Sequence, residues 1–256
     1  MIIGRLHFCP AMLIKLIIAF FSLSAADAEK LGTQIWENES RGKLEGLTSW
    51  NDGEEFASMG INHCIWYPAG KRGPFEETFP SLIGFMQKQG LPIPLWLNDH
   101  PPCPWNSKKE FMRDFQSAKM LELRQFLYRT RSVQIQFMAE RLDKVLLKVI
   151  AITPEYNQLH IKTQFQRLLN TKKGPYLLLD YYNFKGDGTW PTERYKEQGW
   201  GLLQVLEEMP GNTKHPELEF AQAARKVLKR RIENAPKERE EERWLKGWLA
   251  RIKTYE

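Results

Sequence analysis

Glu39, Asp52, Ser58 and His63 fall within one glycine-broken passage, WENESRGKLEGLTSWNDGEEFASMGINH, which runs from Trp36 to His63. Together they supply two carboxylates, a hydroxyl and an imidazole. Cleavage of a glycosidic bond needs residues of this kind. One carboxylic acid, kept protonated by a partly apolar setting, protonates the leaving oxygen, while a second group across the bond activates water or supports the developing positive charge. Ile35 and Trp36 stand just before Glu39 and provide apolar bulk. Glu37 competes for the role of acid, but a two-residue spacing puts it on a different helical face from Glu39. Asn51 and Asp52 occupy a turn, Ser58 follows on a returning strand where a hydroxyl can hold a water, and His63 closes the passage. The plainer reading is a solvated acidic loop with a hydrogen-bonding histidine.

The flanking pattern defines what must position these groups. Leu31, Ile35 and Trp36 recur at helical spacing, which predicts a helix ending near residues 39–42. The glycines between 42 and 75 predict hairpins and turns. FPSLIGFMQKQG returns to helix, and the proline-rich stretch GLPIPLWLNDHPPCPW suits neither regular element. Ser107 with Glu110 reads as a capping box, followed by two helices reaching about Ile152. Thr153–Pro154–Glu155 begins another helix. Residues 172–201 read as a long, aromatic, glycine-broken connection. LLQVLEEM is a short helix, and 216–234 with 237–254 form a final pair. In the last helix Trp244, Leu245, Trp248, Leu249 and Ile252 share a face expected to be core. The fold class is therefore α+β, predominantly helical.

The chain begins with a basic residue, a short apolar run and the small residues of SAADAEK, the pattern of a secretory signal peptide over residues 1–28. That run is shorter than the ~20 apolar residues of a comfortable span. The expectation is an exported protein, periplasmic or extracellular, with no stable membrane span after removal of the leader. Loss of Arg5, Lys15 and Asp27 takes the net charge from +6 to about +5. So basic an exported protein meets anionic envelope polymers before nucleic acid, which is not expected as a partner. Residues 29–256 read as a single domain, with 29–105 carrying the site and 106–256 forming a helical lobe.

Cys64 and Cys103 remain after the leader. His63–Cys64 and His100–Cys103 match no standard zinc spacing, so no metal or cofactor is expected, and two buried free thiols are the simplest reading. Trp50, Trp66 and Tyr67 are candidates to stack on sugar rings, with core packing as the alternative. Tyr182 and Asn183, in the aromatic connection, are candidates for the far wall of a binding cleft.

The stretch from Asp52 to His63 resembles the active-site unit of the phage-type lysozymes, in the lysozyme-like superfamily. There a helix ends in glutamate, a hairpin carries aspartate, and threonine-x-Gly-x-Gly-His follows. Asp52 matches the aspartate, Ser58 the threonine, Gly60 the first glycine and His63 the histidine. Asn62 replaces a glycine, and the interval from Glu39 to Asp52 is several residues longer, which leaves Asn51 as a competitor for the Asp52 position. Glu39–Ser40 is also similar to the Glu-Ser pair of lytic transglycosylases, and GWGLLQ to their Gly-Leu-Met-Gln. The resemblance implies a helix–hairpin–helix unit with Glu39, Asp52 and Ser58 as catalytic residues, and His63 in support. It further implies peptidoglycan, or a related amino-sugar polymer, as substrate. A non-catalytic glycan-binding protein on the same scaffold is the alternative.

Overall fold

The computed structural model describes residues 23–256, so most of the expected leader lies outside the described residues. Ten α-helices and five short strands make a predominantly helical α+β chain over this range. It divides into two compact units, residues 23–139 and 140–256, and the division falls inside one helix, Arg131–Ile152. Among the described residues no helix is long and apolar enough to cross a membrane.

The first unit opens with α1 (Ala25–Ser40), which Ser24 caps by accepting the Asp27 amide at 3.1 Å. Arg41 and Gly42, both at positive φ, end the helix and turn the chain back. A 3₁₀ turn at Leu44–Leu47 then packs on the helix end so closely that a Cβ on Gly46 would lie 2.5 Å from the Ser40 Cβ. Three short antiparallel strands follow in the order β1 (Thr48–Ser49), β2 (Ala57–Met59) and β3 (Cys64–Trp66). Ser58 sits on the central strand with Ser49 and Ile65 as its cross-strand neighbours. Helix α2 (Phe79–Lys88), α3 (Lys108–Arg113), α4 (Ala118–Arg129) and the start of α5 (Arg131–Ile152) complete the unit. Two helices were expected between Ser107 and Ile152, but three form. Ser117 caps α4 by accepting the Met120 amide, and Thr130 closes it by donating its hydroxyl to the Phe126 carbonyl. Ser107 caps α3 as expected, while the Glu110 carboxylate reaches back to the Asn106 amide, one residue before the cap.

Trp66 belongs to the core of this unit. It is fully buried against Phe79, Trp96 and Trp105, and its indole donates to the Pro101 carbonyl at 2.9 Å. Tyr67 is buried beside Phe56, with its hydroxyl turned to the Phe75 carbonyl. Neither ring face is open to a sugar, which corrects the stacking expectation for both. Cys64 and Cys103 are both buried, and burial pushes the Cys103 thiol up to about 12. Among the described residues no group of three or more histidines, cysteines or acids is placed to hold a metal ion.

The second unit holds the rest of α5, then α6 (Glu155–Leu169), α7 (Gly174–Lys185), α8 (Leu202–Glu208), α9 (Pro216–Asn234) and α10 (Glu242–Lys253). A two-residue hairpin, β4 (Arg194–Tyr195) with β5 (Gln198–Gly199), lies between α7 and α8. Helix α7 replaces the first half of the expected irregular connection. Residues 176–181 are all buried, the charged Asp180 among them, so burial on every side leaves the helix without an amphipathic period. Gly174 starts it where any Cβ would strike the Leu168 carbonyl at 1.7 Å, and Pro175 preorganises its first turn. The face of α10 expected to be core is only partly so. Ile252 is buried, whereas Trp244 is exposed and Leu245, Trp248 and Leu249 are half-buried.

Three buried carboxylates in this unit, Asp180, Glu219 and Glu241, are tied to arginines. Glu219 takes both nitrogens of the Arg167 fork at 2.7 and 2.9 Å and also accepts the Gly211 and Thr213 amides. The Arg167 hydrogen bonds, with those from Thr213 and Gly211, hold its carboxyl down at about 2. Because that lies below the ordinary value of 4.5, the stabilisation is present above about pH 4.5 and is lost as pH falls toward 2. We expect Glu219→Gln to lower stability at pH 7 by about 3 kcal/mol. The gap from wild type should close as the pH approaches 2. Urea unfolding of both proteins between pH 2 and 7 checks this, and a gap that does not change with pH would refute it.

Candidate functional site

The end of α1 and the turn between β2 and β3 bring Glu39 and His63 together. Glu39 Oε2 lies 3.1 Å from His63 Nε2, with the glutamate side chain 13% exposed and the histidine 39%. The contact lets one proton be shared: either the carboxyl donates to the imidazole, or an N–H of the ring donates to a carboxylate. Trp36 braces the helix end by donating its indole N–H to the Lys43 carbonyl at 3.3 Å. Glu37, the competing acid, is exposed on the other face.

The turn that presents His63 is built from Gly60 to His63. Met59 pairs with Cys64 across its base, and the His63 amide donates to the Gly60 carbonyl at 3.4 Å. Gly60 has φ of 78° and His63 of 49°, so two of the four residues adopt the left-handed conformation. For histidine that conformation is uncommon and costs energy. Gln134 of α5 holds the turn in place. Its side-chain oxygen accepts the Ile61 amide at 2.9 Å, and its nitrogen donates to the Leu127 carbonyl at 2.7 Å and to the Thr130 hydroxyl at 3.3 Å. A Cβ on Gly60 would fall 2.4 Å from that same oxygen, so glycine is required by the clamp as well as by φ. Gln134 is wholly buried and escaped the sequence reading, since a glutamine within a helical run carries no motif.

The other expected residues are placed as follows. Ser58 is buried on β2, in the sheet whose turn carries His63. Asp52 lies at a tight turn closed by the Glu54 amide and the Asn51 carbonyl; its side chain is 99% exposed and pairs with Lys108 at 2.6 Å. Asn51 is exposed and donates to the Glu54 carboxylate at 3.1 Å. Trp50 is buried, with its indole donating to the Glu54 carbonyl at 2.8 Å. Glu39, His63 and Ser58 therefore belong to the compact helix-and-sheet assembly, while Asp52 reaches into solvent from its rim. Tyr182 and Asn183 are half-buried on α7 of the second unit.

Comparison with protein-family models, with curated proteins and with solved structures gives no match for this chain.

We expect Gln134→Ala to leave the Ile61 amide buried without a partner and to destabilise the first unit by about 1–3 kcal/mol. The cross-peaks of His63 and Ile61 in an amide NMR spectrum should move more than those of the α2 residues. Unchanged resonances at Ile61 and His63 would show that the turn does not rely on the clamp.

Proposed function

We propose that the chain is an exported, muramidase-like glycan hydrolase that cleaves glycosidic bonds of peptidoglycan, with Glu39 as general acid. The observation that carries this reading is the contact of a partly buried glutamate, at the end of a helix, with a histidine on the turn of a three-stranded sheet. A lysozyme-like helix–hairpin–helix unit and a cleavable leader are parts of the same proposal. In it, protonated Glu39 gives its proton to the bridging oxygen as the bond to the anomeric carbon breaks. Water then adds to that carbon and releases a proton. His63 sets the orientation of Glu39, Ser58 holds the water, and Asp52 steadies positive charge on the sugar once Lys108 gives way.

The full exposure of Asp52 and its pairing with Lys108 favour a second reading, a glycan-binding protein of the envelope without catalytic turnover. Lysis of purified sacculi separates the two. Glu39→Gln keeps size and hydrogen bonding but has no acidic proton to give, so lysis should fall by about 10²–10⁴ while thermal unfolding stays close to wild type. Asp52→Asn should cost less, and Ser58→Ala should lie between them. Wild-type lysis by Glu39→Gln would end the assignment and direct the test to Glu37. Absence of lysis by the unaltered protein on several wall types, with retained sacculus binding, would establish the second reading.

A further inference from the structure

A neutral imidazole has one N–H to donate and one lone pair to receive, and only the protonated ring donates from both nitrogens. His100 meets an acceptor on each side. Its Nδ1 lies 3.1 Å from the Pro80 carbonyl oxygen, and its Nε2 lies 2.8 Å from the Gln87 side-chain oxygen. The Pro80 carbonyl can only accept. The Gln87 amide is oriented by its other end, since its nitrogen donates to the Asn98 carbonyl at 3.0 Å. Turning that amide round would offer the ring a donor, but would set the amide oxygen against the Asn98 oxygen. A ring with a single N–H therefore forfeits one bond of this set, whichever tautomer it takes.

The backbone places His100 for this contact. Pro80, Gly84 and Gln87 follow one another at four- and three-residue steps and so share one face of α2. A Cβ on Gly84 would lie 3.1 Å from His100 Cε1, so the ring rests over the one position of that face with no side chain. The loop brings the ring there through a turn, in which the Asn98 amide donates to the Leu95 carbonyl and the His100 amide to the Leu97 carbonyl, each at 3.2 Å. His100 itself has φ of 49°, a conformation that histidine keeps only where its surroundings impose it. On either side the loop is anchored elsewhere. Pro101 accepts the Trp66 indole, the Cys103 amide donates to the Tyr67 carbonyl, and Trp96 donates to Glu122 of α4. Among the described residues, the polar ties of residues 98–100 to α2 are the Gln87–Asn98 bond and the two bonds of His100. No nearby charge replaces them. Asp99 beside the ring and Lys88 after Gln87 are exposed, Glu77 before α2 is taken by the Tyr67 amide, and among the described residues no carboxylate pairs with the ring.

We propose that His100 is a proton-dependent latch: with a proton on each ring nitrogen it fastens the turn of residues 95–100 to α2, and loss of one proton loosens that turn. The second hydrogen bond is present while the ring carries both protons. It is lost as pH rises through the range, about 5 to 8, in which an imidazole ordinarily changes charge. The turn that loosens carries Leu95, whose side chain is 87% exposed, so the latch sets how firmly this apolar group is presented to solvent. The latch rests on contacts between the loop and α2 alone. It does not involve Glu39, His63 or Ser58, and it stands or falls independently of the hydrolase reading.

The test is NMR of the ¹⁵N-labelled full chain at about pH 5 and about pH 8.5, on either side of that range. It reads the imidazole nitrogens and the hydrogen-exchange protection of the backbone amides. We expect both His100 nitrogens to carry a proton at the lower pH and one to have lost it at the higher. After correction for intrinsic exchange, protection of the Asn98 and His100 amides should fall about two- to tenfold between the two, the worth of one hydrogen bond. The Gly84 and Gln87 cross-peaks should move with it. His100→Asn keeps a residue that tolerates left-handed backbone but cannot titrate, so its turn should show no such pH dependence. Gln87→Met removes an acceptor together with the Asn98 bond, and at the lower pH its turn should be no better protected than the wild-type turn at the higher. A His100 ring with a single N–H at the lower pH would overturn the proposal, as would equal protection of the turn at both. Protection that still changes with pH in His100→Asn would assign the effect to another group and overturn it too. The wild-type readings decide the matter even if a variant fails to fold.

Discussion

A peptide N–H that is shut away from water must find an acceptor, and at Ile61 that acceptor is the side-chain oxygen of Gln134, far along the chain. The glutamine is itself fixed from behind by Leu127 and Thr130, at the junction where α4 ends and α5 begins. The turn is thus tied to the helical frame at its second residue, while Gly60 and His63 accept left-handed backbone at its ends. Without that tie, two residues at positive φ would leave a four-residue turn free to rearrange. With it, the imidazole is delivered to the end of α1, where the tight approach of Gly46 to Ser40 sets the other partner. The Glu39–His63 contact is therefore the product of two backbone constraints more than of any attraction between the side chains.

The second unit follows a different rule. Three of its buried carboxylates are saturated: Asp180 carries Arg251 and the Tyr255 hydroxyl, Glu241 carries Arg231 and the Tyr195 hydroxyl, and Glu219 carries Arg167 and two amides. Such pairs add little net stability relative to apolar packing, but removing one partner leaves a costly charge behind. They fix where α9 and α10 lie against α7. Trp248 of α10 and Arg231 of α9 are thereby held beside the end of α7, which is why Lys185 finds aromatic faces and arginines around it and, among the described residues, no carboxylate in contact.

Sequence pattern revealed elements whose two sides differ. Helix α1, the turn-rich sheet region, α2, α6 and α9 each alternate apolar and polar positions, and each stands close to where periodicity or capping residues place it. Helix α7 does not, because a helix buried on every side has no polar face to set its period. Aromatic residues were harder still. Trp66 and Trp190 look alike in a string of letters, yet one is sealed in the first core and the other is half in solvent. Only the packing of distant segments decides between them. At the candidate site, Glu39 and His63 were legible because a helix end and a turn sit near each other in the chain. Gln134 was not, since its place depends on folding that brings together residues with no motif between them.

General acid catalysis sets demands that bear unequally on these residues. The acid must be partly shielded so that its neutral form persists, and it must be held still. Glu39 is mostly covered and is held against one imidazole, which meets the demand for a fixed position. A carboxylate that steadies a developing cation must instead stay ionised, and solvent exposure with a nearby ammonium favours the ionised form. Asp52 is exposed and its carboxylate is occupied by the Lys108 ammonium. For Asp52 to act on a sugar, the ion pair has to open, and an exposed lysine–aspartate pair is worth only about 0–1 kcal/mol. Contact with a positively charging sugar ring can readily offset so small an interaction. In the proposed hydrolase Asp52 would therefore act only once a glycan had opened its pair with Lys108, whereas the Glu39–His63 contact is already formed.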